Sequence, residues 1–219
     1  MREFSKVLEL KDYNDFGNEV QHINNMHNML SRAAHRFEHE HRKWEYGLAL
    51  DIIRNKNLNT ILDVGGGGSV FAPALAWLDR HVVQVDPGDV GGWIIQQQNV
   101  IGKRMEFFQQ NMEDFDSHLR FDCVTCLSVI EHVEDDIAFV KQMAKYVKPN
   151  GFIIITTDFH PDGKAKSDGH LRTYNKRGLT KIANVLRKLG FGYYGEVPKY
   201  NNFEPNVFDY SFASLVMAK

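Results

Sequence analysis

No stretch of the 219 residues holds the roughly 20 consecutive apolar side chains that crossing a bilayer requires. The opening residues, MREFSKVLELKDYNDF, also lack the uninterrupted apolar core of a secretion signal. A cytoplasmic protein with no membrane partner is therefore expected. Charge of either sign is scarce in net terms, at -2 with a pI near 6.5. That balance offers no overall basic field for a phosphate backbone and disfavours nucleic acid as a partner. Proline numbers 6 and cysteine 2, and neither repeats nor low-complexity tracts occur. The cysteines, Cys123 and Cys126, spell C-V-T-C inside FDCVTCLSV, which has the composition of a buried strand. On a strand, residues three apart face opposite sides of the sheet, so this spacing argues against a disulfide or redox pair.

What is present is an ordinary globular composition, 43% hydrophobic and 25% charged. The length suits one domain with a full core. Residues 1–57 read as an N-terminal helical cap, with helices expected over 18–31 and 35–55. In the second, Trp44, Leu48 and Ile52 recur every four residues, with Ala49 and Ile53 beside them, which gives one apolar face. Histidines crowd this region, and His35-Arg36-Phe37-Glu38-His39 matches the H-x-x-E-H pattern of a zinc peptidase helix. The distant third ligand cannot be placed, so a polar helix flank is the preferred reading and no metal site is expected.

From Leu58 short apolar runs alternate with helical stretches. Strands are expected over 60–64, 81–85, 105–109, 121–127, 151–157, 193–197 and 212–217, and helices over 70–78, 90–101, 135–146 and 180–189. Alternation of this kind, with strands apolar throughout, implies an α/β fold whose mostly parallel sheet carries helices on both faces. The last two strands are close enough in sequence to pair antiparallel. Between the fifth strand and the last helix lies a long polar insertion, DFHPDGKAKSDGHLRTYNKRG, and loops of that length are commonly functional.

Ligands of open α/β sheets sit beyond the carboxyl ends of the strands. There, Ile61-Leu62-Asp63-Val64 stops in four glycines, Gly65 to Gly68, a bare turn that lets a ligand approach the main chain. Asp86 closes the second strand about twenty residues on, placed to accept ribose hydroxyls. Asn111-Met112 follows the third strand and Ser128 to His132, SVIEH, the fourth. A dinucleotide fingerprint, G-x-G-x-x-G counted from Gly65, would require glycine where Val70 stands.

D-V-G-G-G-G-S from Asp63 to Ser69, Asp86, QQNMEDF, FDCVTCLSVIEHV and VKPNGFIIITT occur in order. Together they resemble the class I S-adenosylmethionine-dependent methyltransferases over residues 58–219. The resemblance implies a seven-stranded sheet in the order 3-2-1-4-5-7-6 with the last strand antiparallel. It implies S-adenosylmethionine as cofactor and S-adenosylhomocysteine as product. Asp63, Gly65, Gly67, Asp86, Pro87, Asn111, Met112 and Ser128 would contact the donor, with Asn111 where many relatives carry aspartate.

His132, at the mouth of that site, is the candidate general base, with a structural or substrate-binding role as its alternative. Trp44, Asp158, His160, His170 and Arg172 are the candidate substrate contacts, Arg172 as a clamp for an anion. Lacking an N/D-P-P-Y/F segment after the fourth strand and paired glutamates there, the chain is expected to methylate O, N or C of a small-molecule metabolite. It is expected to be a monomer or homodimer. The alternative is a non-catalytic module that binds S-adenosylmethionine.

Overall fold

A computed structural model describes residues 3–9, 12, 14–30, 40–163, 171–203 and 210–219, with the side chains of 40 and 41 excepted. Its seven strands form one sheet in the order β3-β2-β1-β4-β5-β7-β6. The strands are β1 (Thr60–Val64), β2 (His81–Val85), β3 (Glu106–Phe108), β4 (Phe121–Leu127), β5 (Val147–Phe159), β6 (Gly192–Tyr193) and β7 (Ser211–Ala218). Pairing is parallel from β3 through β5, while β7 runs antiparallel to both β5 and β6. The expected order and the reversed last strand are both present.

Among the described residues, six α-helices cover the sheet: α1 (Gly17–Met29), α2 (Glu40–Asn55), α3 (Phe71–Trp77), α4 (Gly91–Ile101), α5 (Asp136–Lys145) and α6 (Lys176–Lys188). The alternation of strand side chains divides the core in two. Leu62, Val64, Val83, Val124 and Ile153 face α5 and α6, where Phe139, Val140, Leu179, Ile182 and Leu186 meet them. Ile61, Val82, Cys123 and Ile154 face the other side, where Ile23, Trp44, Leu48, Phe71 and Ile94 of α1 to α4 pack. Each such side chain contributes about 1.5 to 3 kcal/mol through burial. Cys123 and Cys126 fall on opposite faces, as their spacing on a strand requires. Among the described residues, no helix is long and apolar enough to cross a membrane.

Element ends differ from the sequence expectation where local chemistry intervenes. Helix α6 starts four residues early because Asn175 caps it, its side chain accepting the Gly178 amide at 2.9 Å. Strand β6 stops at Tyr193, ahead of Gly195 with its φ of 88°. The short β6 leaves an edge of β7 open, and residues 6–8 fill it: Leu8 N donates to Phe212 O at 2.8 Å and Ser214 N to Lys6 O at 2.8 Å. This pairing of the chain's start with its end was not anticipated. At the opposite edge from the site, Asp122 accepts the Asn59 and Thr60 amides, both at 2.9 Å, and Lys148 at 2.8 Å, tying β1, β4 and β5.

Candidate active site

The register Val64↔Val85 and Asp63↔Thr125 brings the ends of β1, β2 and β4 to one edge, so Gly65, Asp86 and Ser128 gather there. Gly65 and Gly67 adopt φ of 70° and 55°, a left-handed region that glycine enters without steric cost. The glycines serve different purposes. A Cβ on Gly65 would lie 2.5 Å from Val129 Cγ1, one on Gly66 2.0 Å from Asp63 Oδ2, and one on Gly68 2.3 Å from Trp93 Cε3. Those three are bare so that the protein can pack against itself. Only at Gly67 does the backbone border open space, the nearest atom to a Cβ being Asp86 Oδ2 at 3.9 Å.

Asp86 holds this turn in shape. Its Oδ2 accepts the Gly67 amide at 2.8 Å and its Oδ1 the Gly88 amide at 2.7 Å, and the side chain is half-buried. Each carboxylate oxygen has a second lone pair, so the group can still accept hydroxyl donors from the open side. A fixed carboxylate beside a bare, open stretch of backbone fits a ribose next to a flexible tail, as S-adenosylmethionine presents. Beneath it Asp63 is fully buried and receives Thr125 Oγ1 at 2.8 Å. Burial, with the nearby Asp86 charge adding to it, pushes the Asp63 carboxyl up to about 6 against its hydrogen bonds from Thr125 and Gln84. Asp63 thus acts from inside the fold, under the turn. Gln97 of α4, also buried, donates to Gly68 O at 2.9 Å and so fixes the turn's far end.

The other expected donor contacts are distributed unevenly. Pro87 and Asn111 are exposed at the same sheet edge, whereas Met112 is buried in the core with Phe115 and Tyr146. Ser128 is nearly buried, and its hydroxyl is engaged by Glu45 of α2 at 2.8 and 2.9 Å. Glu45 was not anticipated. It is fully buried, accepts Thr156 Oγ1 at 2.8 Å, and lies 3.6 Å from Arg42. Burial raises its carboxyl, while Arg42, Thr156 and Ser128 oppose the rise.

After Ser128 a single 3-10 turn, Ile130–His132, points its two polar side chains in opposite directions. His132 is exposed, while Glu131 is buried and accepts Thr157 Oγ1 at 3.0 Å. Asp158, at the end of β5, is buried nearby. Desolvation raises both carboxyls, each further raised by a neighbouring acid: Asp158 in the case of Glu131, Glu45 in the case of Asp158.

Of the other expected substrate contacts, Trp44 is buried in the core, 2% exposed. His160 stacks edge-on against Phe203 at 5.1 Å and accepts the Asp162 amide at 3.1 Å. Arg172 pairs with Asp136 at 3.0 Å and donates to Glu134 O at 2.8 Å, which fastens the returning insertion to the β4–α5 connection. His170 and the His35–His39 motif lie outside the described residues. Among the described residues no group of three or more His, Cys, Asp or Glu is arranged to hold a metal ion.

A family model described as a methyltransferase domain matches residues 22–192. The chain belongs to this methyltransferase family. Its sequence relatives include the ubiquinone biosynthesis O-methyltransferase of Rickettsia conorii, 37% identical over 100 residues, which are 44% of this chain and 34% of that protein. The mitochondrial ubiquinone biosynthesis O-methyltransferase of Schizosaccharomyces pombe is 30% identical over 114 residues, 49% of this chain and 42% of that one. The matches thus span well under half the length of these relatives. Among solved structures, the magnesium protoporphyrin IX methyltransferase of Synechocystis PCC 6803 with bound S-adenosylhomocysteine superposes with a TM-score of 0.63 at 17% identity, over 95% of this chain and 99% of that one. The 1,6-didemethyltoxoflavin N1-methyltransferase of Burkholderia thailandensis does so at 0.60 and 14%, over 97% and 91%. At these identities the likeness is one of fold.

Proposed function

We propose that the chain transfers the methyl group of S-adenosylmethionine to a small molecule. The observation that carries this reading is the Asp86 carboxylate, fixed by the Gly67 and Gly88 amides beside the glycine of the Gly65–Gly68 turn that borders open space. In this reading Asp86 accepts the ribose hydroxyls and Gly65 and Gly67 pass the methionine part. Pro87 and Asn111 form the adenine side, with Met112 packed beneath them. The bound donor supplies a methyl group already activated by its sulfonium, so the protein's task is to align an acceptor and keep water out.

Oxygen is the acceptor atom we favour, because the sequence relatives are named O-methyltransferases. A hydroxyl acceptor requires a base. His132 fills that role in this account, standing on the turn that also carries Glu131. In this reading the acceptor pocket is assigned to the N-terminal helices and to the insertion from Asp158 to Tyr174.

The experiment is to incubate the protein with S-adenosylmethionine and a small-molecule metabolite extract, and to follow S-adenosylhomocysteine by mass spectrometry. Conversion that depends on the extract supports the enzyme. Tight S-adenosylhomocysteine binding with no conversion in any extract supports instead a binding module without transfer activity.

A further inference from the structure

Ser128, the residue after β4, has a φ of 51°, a conformation that costs a residue with a side chain backbone energy and persists only where its surroundings impose it. Part of that imposition is local: Ser128 N donates to Thr156 O at 3.1 Å and meets Thr156 Oγ1 at 3.1 Å. The rest comes from a helix 83 residues away in sequence, where both oxygens of Glu45 receive the Ser128 hydroxyl, at 2.8 and 2.9 Å. Thr156 donates to the same carboxylate at 2.8 Å. Arg42, one turn earlier on α2, adds a bond from its Nη1 to Leu127 O at 3.3 Å. The start of α2 therefore grips the carboxyl ends of β4 and β5 through a set of polar contacts.

Anchoring a helix does not call for a buried acid. Trp44, Leu48 and Ile52 already pack α2 onto the sheet, and burying a carboxylate is costly unless its partners are well placed. The specific demand comes from the path of the chain beyond Ser128. The left-handed residue turns the chain so that Val129 rests on the glycine turn, so close to Gly65 that a Cβ there would be 2.5 Å from Val129 Cγ1. Glu45, Ser128, Val129 and Gly65 make one continuous line of contact from α2 to the donor side of the site.

We infer that Glu45 is a positioning residue for the methyl-donor site: it holds Ser128 in the left-handed conformation and so seats Val129 against the Gly65 turn. This rests on the reading of that turn as the donor site. Glu45 touches neither donor nor acceptor in this account and acts through Ser128.

The test uses a property of glycine, which adopts this conformation without help. Glu45→Gln, close to isosteric, is made in the wild-type chain and in a Ser128→Gly background, and S-adenosylhomocysteine affinity is measured by calorimetry in all four proteins. In the Ser128 chain Glu45→Gln weakens binding by about tenfold, the equivalent of a modest backbone strain left unsupported. In the Ser128→Gly background the same substitution changes affinity by less than about threefold, because the conformation no longer depends on the carboxylate. An equal loss in both backgrounds, or no loss in either, overturns the inference and leaves Glu45 as an anchor of α2.

Urea unfolding of the same four proteins gives a second reading that needs no ligand. A smaller destabilisation by Glu45→Gln in the Ser128→Gly background is expected, and additive effects overturn the inference. Should the wild-type chain bind no S-adenosylhomocysteine, the proposed function fails, and the unfolding cycle still decides whether Glu45 supports Ser128.

Discussion

The carboxylate of Asp86 accepts the Gly67 amide at 2.8 Å, so the residue that closes β2 sets the shape of the turn that leaves β1. Recognition and scaffolding meet in one side chain. The same group that is proposed to present lone pairs to a ribose holds the bare backbone open beside it, and its other oxygen fixes Gly88.

The glycines of that turn should separate stability from binding. A methyl group on Gly66 would lie 2.0 Å from Asp63 Oδ2 and 2.8 Å from Gln84 Nε2. Gly66→Ala is therefore expected to destabilise the fold by about 1 to 3 kcal/mol, read as a lower urea midpoint. Gly67→Ala meets nothing closer than 3.9 Å, so its fold cost is confined to its φ of 55°, about 1 to 2 kcal/mol. Its larger effect should be on S-adenosylhomocysteine affinity, since the methyl group enters the space beside Asp86. Normal affinity in a folded Gly67→Ala protein would place the donor elsewhere.

Glu131 gives a pH dependence with a definite sign. Its folded carboxyl is raised, first by burial and then by Asp158. As pH climbs past the ordinary glutamate value of about 4.3, the unfolded chain ionises while the folded one still holds its proton. The folded state then binds more protons, so this group's contribution to stability falls until pH passes the raised value, and is constant beyond. Glu131→Gln keeps an acceptor for Thr157 and removes the titration. Urea midpoints measured between pH 5 and 8 should fall more steeply for the wild type than for Glu131→Gln. Parallel curves would show that the carboxyl is not raised.

Asn175 caps α6 by accepting the Gly178 amide at 2.9 Å. Asn175→Ala should cost about 1 kcal/mol in chemical denaturation. A cost near zero would mean that packing of Leu179, Ile182 and Leu186 alone fixes the helix start.

Cys123 and Cys126 are both fully buried, and desolvation pushes their thiols well above their ordinary value. Under native conditions neither should react with a thiol reagent at neutral pH, and both should react in guanidinium chloride. Fast native labelling would contradict the buried strand.

Much of the fold, and the candidate donor site with it, was legible in the chain because the signals were local. The apolar run before Gly65, the aspartate at the end of β2 and the alternation of strands and helices each declare themselves within a few neighbouring residues. What stayed hidden was long-range. Nothing in Trp44-Glu45-Tyr46 says that the glutamate turns inward, since its partner Ser128 is 83 positions away. The exposed His132 and the buried Glu131 are adjacent in sequence, and only the 3-10 turn decides which faces in. Arg172 looked like an anion clamp by composition, but in the fold it pairs with Asp136. The pairing of residues 6–8 with β7 depended on how short β6 would be, and β6 stops ahead of Gly195 with its positive φ.

The most direct test of the donor site is calorimetric titration of S-adenosylhomocysteine into the wild-type chain and into Asp86→Ala, with circular dichroism confirming that both are folded. Loss of the charge-assisted hydrogen bonds predicts binding weaker by about 1 to 3 kcal/mol, roughly 5- to 150-fold. Equal affinity in the two proteins would contradict the assignment of Asp86 and, with it, the site.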